Sequence, residues 1–162
     1  MNFNQLANIY ESELLNNVIP FWTKHSLDKE CGGYYTCLNR DGSVFDTDKF
    51  LWLQGRQVWT FAMLYNQLEQ KEEWLEIAKH GASFLKKYGR AEDGTWYFSL
   101  TREGSPLIQP YNIFSDCFAT QAFGQLYKAC EEEEYAIIAK DTFQSIIERK
   151  DNTKRQWSKS YP

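Results

Sequence analysis

Histidine is scarce in this 162-residue chain, with two in all, and its four cysteines, Cys31, Cys37, Cys117 and Cys130, form no C-x-x-C pair. The best metal-like grouping, His25 with Cys31 and Cys37, lacks a second ligand pair, so no metal site is expected and the thiols read as free and at least half-buried. There is no basic stripe: Lys and Arg alternate with Asp and Glu throughout and the net charge is -4, which argues against DNA or RNA as a partner. No stretch approaches the ~20 apolar residues of a membrane span. Met1 to Phe21 offers acids and amides rather than a basic patch ahead of an apolar run, so no signal peptide is expected. These absences predict a cytoplasmic protein that contacts neither membrane nor nucleic acid. The turns around Arg40-Asp41-Gly42-Ser43 and Gly104-Ser105-Pro106 also lack the spacing of a phosphate-binding loop.

What is abundant is large rings. Phe, Trp and Tyr make up 17% of the chain and hydrophobic residues 43%, which is enough to offset ordering entropy and exclude a disordered tail. Length alone suggests one domain. Rings at this density suit wide helix interfaces or a surface built around a ligand.

A repeat organises them. Gly32-Gly-Tyr-Tyr-Thr-Cys-Leu-Asn-Arg-Asp-Gly-Ser43 aligns without gaps on Gly94-Thr-Trp-Tyr-Phe-Ser-Leu-Thr-Arg-Glu-Gly-Ser105 at an offset of 62, with six of twelve positions identical. The register persists downstream, where Trp52 matches Phe114, Phe61 matches Phe123, and Phe84-Leu85 match Ile146-Ile147. An offset held that far marks a structural repeat. The expected organisation is an N-terminal helix within 1–25, a first unit over 32–93, a second over 94–154 and the start of a third over 155–162.

Each unit opens on a short alternating stretch with a Gly-centred turn, the pattern of a small β-hairpin. Two helices follow, predicted over about 51–70 and 72–88 in the first unit and about 113–129 and 133–150 in the second. The first helix of each pair is nearly free of charge: Arg56 is alone between Lys49 and Glu69, and Asp116 alone between Glu103 and Lys128. Such helices are buried. Their partners carry Glu72, Glu73, Glu76, Lys86 and Lys87, or Glu133, Lys140, Asp141 and Glu148, opposite apolar stripes through Trp74, Ile77, Phe84 and Tyr135, Ile138, Phe143, Ile146, so they face water. The N-terminal helix, about Phe3 to Trp22, has its own 3.6-period stripe of Leu6, Ile9, Tyr10, Leu14 and Val18. Alternating inner and outer helices predict an all-α toroid of helix hairpins around a central cavity.

Arg56 points to chemistry, because a guanidinium on a helix of Leu51, Trp52, Leu53, Val58, Trp59, Phe61 and Met63 needs an anionic or hydrogen-bonding partner. Trp52, Arg56, Trp59 and Met63 share one face, which sets a cation between two indoles. Such a face suits a sugar, with rings on C–H surfaces and the guanidinium on a hydroxyl or developing oxyanion. The alternative is an ion pair between Arg56 and Asp116, and the residue pattern leaves both open. His25 and His80 read as surface or packing residues, and the acidic run Glu131 to Glu134 as a favourable start to a helix.

The run Phe21-Trp-Thr-Lys-His-Ser-Leu-Asp-Lys-Glu-Cys-Gly-Gly-Tyr-Tyr-Thr-Cys-Leu-Asn-Arg-Asp-Gly42, with Trp52-Leu-Gln-Gly-Arg-Gln-Val-Trp59 and Phe114-Ser-Asp-Cys-Phe118, resembles the N-terminal part of the N-acylglucosamine 2-epimerases, also called renin-binding proteins. The octapeptide favours the N-acylglucosamine branch over the related cellobiose 2-epimerases. The resemblance implies an (α/α)6 barrel, of which this chain holds about two and a half of six units, since six repeats of 62 need about 370 residues. It also implies cofactor-independent interconversion of N-acetylglucosamine and N-acetylmannosamine. The C2 proton, acidified by the C1 aldehyde of the opened ring, is removed by one base and returned on the opposite face, while a cation supports the oxyanion. Arg56 stands where the family has its essential arginine, Trp52 where relatives place a pocket aromatic, and Trp59, Phe114 and Asp116 are the further candidates for substrate contact. The family's proton-transfer histidines belong to later units, so this stretch is not expected to epimerise by itself. ATP as an activator and a homodimer are further implications. Two other classes stay open: a sugar-binding or interaction fragment without catalysis, and another carbohydrate-active α/α-barrel enzyme, which would need a carboxylate pair.

Overall fold

The structure, a computed structural model, describes residues 2–110 and 113–149. The predicted end of the second unit and the start of the third, 150–162, lie outside the described residues. The elements run α1 (Phe3–Glu13), a π-helical turn (Leu14–Val18), α2 (Ile19–His25), β1 (Cys37–Leu38), β2 (Val44–Asp46), β3 (Lys49–Phe50), α3 (Leu51–Gln67), α4 (Glu72–Tyr88), β4 (Ser99–Leu100), β5 (Pro106–Ile108), α5 (Phe114–Cys130) and α6 (Glu133–Glu148).

The 62-residue register survives into three dimensions, down to single hydrogen bonds. The Asn39 amide donates to Ser43 O at 2.9 Å and the Gly42 amide to Asn39 O at 2.9 Å, closing the β1–β2 hairpin. One repeat later Thr101 donates to Ser105 O at 2.7 Å and Gly104 to Thr101 O at 3.0 Å, closing β4–β5. Both turns need a left-handed residue, and Gly42 (φ 86°) and Gly104 (φ 96°) supply it without a Cβ penalty. The second hairpin also reaches back to the first unit, because β3, the strand leading into α3, pairs with β4 through Lys49 opposite Leu100 and Phe50 opposite Ser99.

The helices pack as pairs, α3 on α4 and α5 on α6, and the two inner helices α3 and α5 form the broadest contact of all. Their meeting depends on Gly55. A Cβ there would stand 3.0 Å from the Phe118 carbonyl carbon, so only glycine lets the backbones come this close without a shift. Leu51, Val58, Phe61 and Ala62 of α3, Ala119, Ala122, Phe123 and Leu126 of α5, and Trp74, Ile77, Ala78, Phe84 and Leu85 of α4 belong to one buried core. Lys79 to Glu132 and Lys86 to Glu134 bridge the outer helices at the surface.

Three expectations need correction. The inner helices are not buried all round: Arg56, Phe114 and Tyr127 are exposed, and Trp52, Trp59 and Met63 half-buried, along faces turned away from the buried stripe. The outer helix α6 buries Tyr135 but leaves Phe143 exposed. The N-terminal helix is interrupted. The Ile19 amide bonds Leu14 O, five residues back, because Pro20 has no N–H to offer and its ring would meet the Asn16 carbonyl in a tight α-turn, which the wider π-turn relieves. Its apolar stripe stays uncovered among the described residues, with no buried residue in α1 and Tyr10 72% exposed.

Candidate functional site

The site candidate is built on α3. Leu51, Gln54, Gly55, Val58, Phe61, Ala62 and Leu64 are its buried side, and this buried stripe rotates Arg56 outward. Among the described residues the guanidinium has no ion-pair partner. It is held by rings instead, with Cζ 5.9 Å from the centroid of Trp52 and 5.5 Å from that of Phe118, within cation–π range of both. Trp52 and Phe118 themselves lie 6.2 Å apart with planes at 45°. The second ring beside the cation is therefore Phe118 of the next unit, not Trp59, which packs on the core. Phe114, one turn before Phe118 on α5, is exposed. Arg56 also borders a cleft of about 300 Å³ between the N-terminal helices and α3, lined on that side by Leu14, Val18 and Trp22 and on α3 by Leu53, Gln57 and Thr60.

Asp116 does not belong to this face. Its side chain has no exposed surface and pairs with Arg149, the residue capping the C-terminus of α6, Nη2 to Oδ1 at 2.5 Å, and among the described residues no ion pair joins it to Arg56. Burial pushes its carboxyl up, against the opposing pull of Arg149 and a backbone hydrogen bond from Trp96. The repeat explains the placement. One register earlier stands Gln54, also buried, whose Oε1 accepts from the Tyr34 amide at 2.8 Å and whose Nε2 donates to Tyr34 O at 2.8 Å. Tyr34 and Trp96 are again 62 apart, so Gln54 and Asp116 stand at matching positions beside the two aromatic corners. The corners then fasten the outer helices: Tyr34 Oη donates to Ile77 O at 2.6 Å and Trp96 Nε1 to Thr142 Oγ1 at 3.2 Å.

Neither histidine faces the Arg56 surface. His80 Nε2 meets Gly33 O at 2.9 Å, and His25 stacks on Phe21 with ring centroids 5.1 Å apart. All four cysteines are free and half-buried.

A buried charged network joins residues too far apart for any sequence spacing to signal. Asp28, fully buried, accepts from Lys49 Nζ at 2.9 Å, Arg102 Nε at 2.9 Å and Arg102 Nη2 at 3.0 Å, besides the Cys31 amide at 3.0 Å. Lys49 is equally buried and donates its ammonium to Gly32 O at 2.7 Å as well. Burial alone would raise the Asp28 pKa, but Arg102, the Cys31 amide and Lys49 outweigh it and hold the carboxyl well below its usual range. Since Arg102 belongs to the second hairpin, this network locks unit two to unit one.

A family model for N-acylglucosamine 2-epimerase (GlcNAc 2-epimerase) matches residues 33–161. The chain belongs to the N-acylglucosamine 2-epimerase family. It is 44% identical to the N-acylglucosamine 2-epimerase of Mus musculus over 137 residues, 82% of this chain and 33% of that protein. The Homo sapiens protein is 42% identical over the same length, covering 82% of this chain and 32% of its own. A cellobiose 2-epimerase from Dictyoglomus turgidum is 31% identical over 144 residues, 88% of this chain and 36% of that one. Among solved structures, the cellobiose 2-epimerase of Bacillus thermoamylovorans superposes with a TM-score of 0.84 at 27% identity, covering 96% of this chain and 42% of that chain. The fold is accordingly part of an (α/α)6 barrel, and this epimerase-family chain spans about a third of the length of the curated relatives it matches.

Proposed function

We propose that this chain supplies the arginine-bearing portion of a sugar 2-epimerase site that interconverts N-acetylglucosamine and N-acetylmannosamine. One observation carries the reading: Arg56, a cation with no anionic partner among the described residues, is held outward between Trp52 and Phe118. A guanidinium kept free and flanked by rings is suited to an aldose, because it can donate to the C1 oxygen while the rings cover the C–H faces. Removing the C2 proton shifts an electron pair toward that oxygen, and a fixed cation beside it stabilises the anion. The aldehyde itself acidifies C2–H, so the chemistry requires no resident cofactor. The proton-transfer bases come from elsewhere in a complete ring, since His25 and His80 are both engaged away from Arg56. The higher identity to N-acylglucosamine than to cellobiose 2-epimerases, 44% against 31%, favours the amino sugar. Cytoplasmic location follows from the same reading, and no helix among the described residues is long and apolar enough to cross a membrane.

A hydrolase reading loses its support at Asp116, whose carboxylate is buried against Arg149 and offers no partner for acid and base work at the Arg56 face. Calorimetric titration of the chain with N-acetylmannosamine and with cellobiose tests the proposal. The amino sugar is expected to bind roughly tenfold more tightly, about 1.4 kcal/mol. Equal or reversed affinities would move the chain to the cellobiose branch, and no Arg56-dependent heat from either would remove the sugar site.

A further inference from the structure

Arg56 is a long, flexible side chain, and an exposed arginine with no ion pair would sample many rotamers. Something has to hold it if it is to meet an oxyanion without first being ordered. We propose that Phe118 is the positioning residue for Arg56, supplied across the junction between repeat units, and that Gly55 is the packing position that allows it. The inference rests on the reading of Arg56 as the cation of a sugar site.

Three observations converge. Positions 56 and 118 are one repeat apart, so equivalent points of neighbouring inner helices lie side by side and the side chain of one unit is covered by that of the next. The Phe118 ring lies 5.5 Å from the Arg56 Cζ, closer than Trp52 on the arginine's own helix at 5.9 Å, and touches Trp52 as well. Phe118 is itself fixed by backbone rather than by side-chain packing alone: its carbonyl and Cβ sit against Gly55, at 3.0 and 3.1 Å from where a Cβ would be. The residue before Arg56 thus sets the distance at which the Phe118 ring meets the guanidinium. The octapeptide Trp52-Leu-Gln-Gly-Arg-Gln-Val-Trp59 then reads as one device, with Gln54 holding the hairpin, Gly55 admitting the next helix and Arg56 receiving its ring.

The test is the arginine Nε–Hε spectrum of the 15N-labelled chain. Arg56 Hε is expected upfield of the exposed Arg40 signal, with cross-relaxation to the Phe118 ring protons. Phe118→Leu should remove most of that displacement and move Hε toward the Arg40 position, the remainder coming from Trp52, whereas Phe118→Tyr should keep it. Absence of cross-relaxation between Arg56 and the Phe118 ring in the folded wild-type chain overturns the proposal and needs no variant. A folded Phe118→Leu chain with Arg56 Hε unmoved overturns it too. The readout involves no sugar, so the two inferences fail separately: a held guanidinium indifferent to N-acetylmannosamine counts against the function, and a mobile one that responds to the sugar counts against Phe118.

Discussion

Asp28 and Arg56 show opposite ways for one charge to be tolerated in an apolar chain. Asp28 is enclosed and fully partnered by Lys49, Arg102 and the Cys31 amide. Its folded pKa lies below the ordinary value of 3.8, so below about pH 4 the unfolded state binds the proton first. Stability from this group is present above that pH and is lost as pH falls further. Asp28→Asn should cost about 3–5 kcal/mol at pH 7 by leaving Lys49 buried and unpaired, and should flatten the acid limb of a urea-midpoint against pH curve. Arg56 is exposed and held only by rings, so Arg56→Ala should cost under about 1 kcal/mol in the same denaturation assay. Arg56 was legible in the sequence because it is the only charge in its run. Asp28 and Lys49 were not, since their partners lie 21 and 74 residues away and no periodicity links them. Asp116 was left open between a partner for Arg56 and a substrate contact for want of one comparison: its match to Gln54 across the repeat sets it beside Trp96 as Gln54 is set beside Tyr34.

Helices and hairpins were far more legible than contacts between them. Apolar and charged faces forecast all four helices of the two units to within a few residues, and the shared Gly-Ser turns forecast both hairpins. The π-turn at Leu14–Val18 escaped because helix periodicity does not register one extra residue, although Pro20 was the signal. How elements are joined yields two predictions. Gln54→Ala strips both backbone partners from Tyr34 and should cost about 2–4 kcal/mol in urea denaturation. Gly55→Ala pushes a Cβ against Phe118 backbone, which cannot swing aside as a side-chain tip would, and should cost about 1–3 kcal/mol by the same measure.

Across the whole molecule, a sequence repeat of 62 becomes two helix hairpins locked by Asp28, Arg102 and the β3–β4 pairing into one arc of an (α/α)6 barrel. Among the described residues part of the aromatic content packs between inner and outer helices, and Trp52 and Phe118 flank the outward Arg56. By the proposed division of labour the chain by itself lacks the bases for C2 chemistry, so N-acetylglucosamine incubated with it in D2O should keep its C2 proton and yield no N-acetylmannosamine by NMR. The most direct measurement of the central claim follows the Trp52 indole N–H and Arg56 Nε–Hε resonances while N-acetylmannosamine is added. The account predicts that both move together and saturate, and that Arg56→Ala abolishes the Trp52 response. A Trp52 signal unmoved by the sugar, or moved equally in Arg56→Ala, would contradict it.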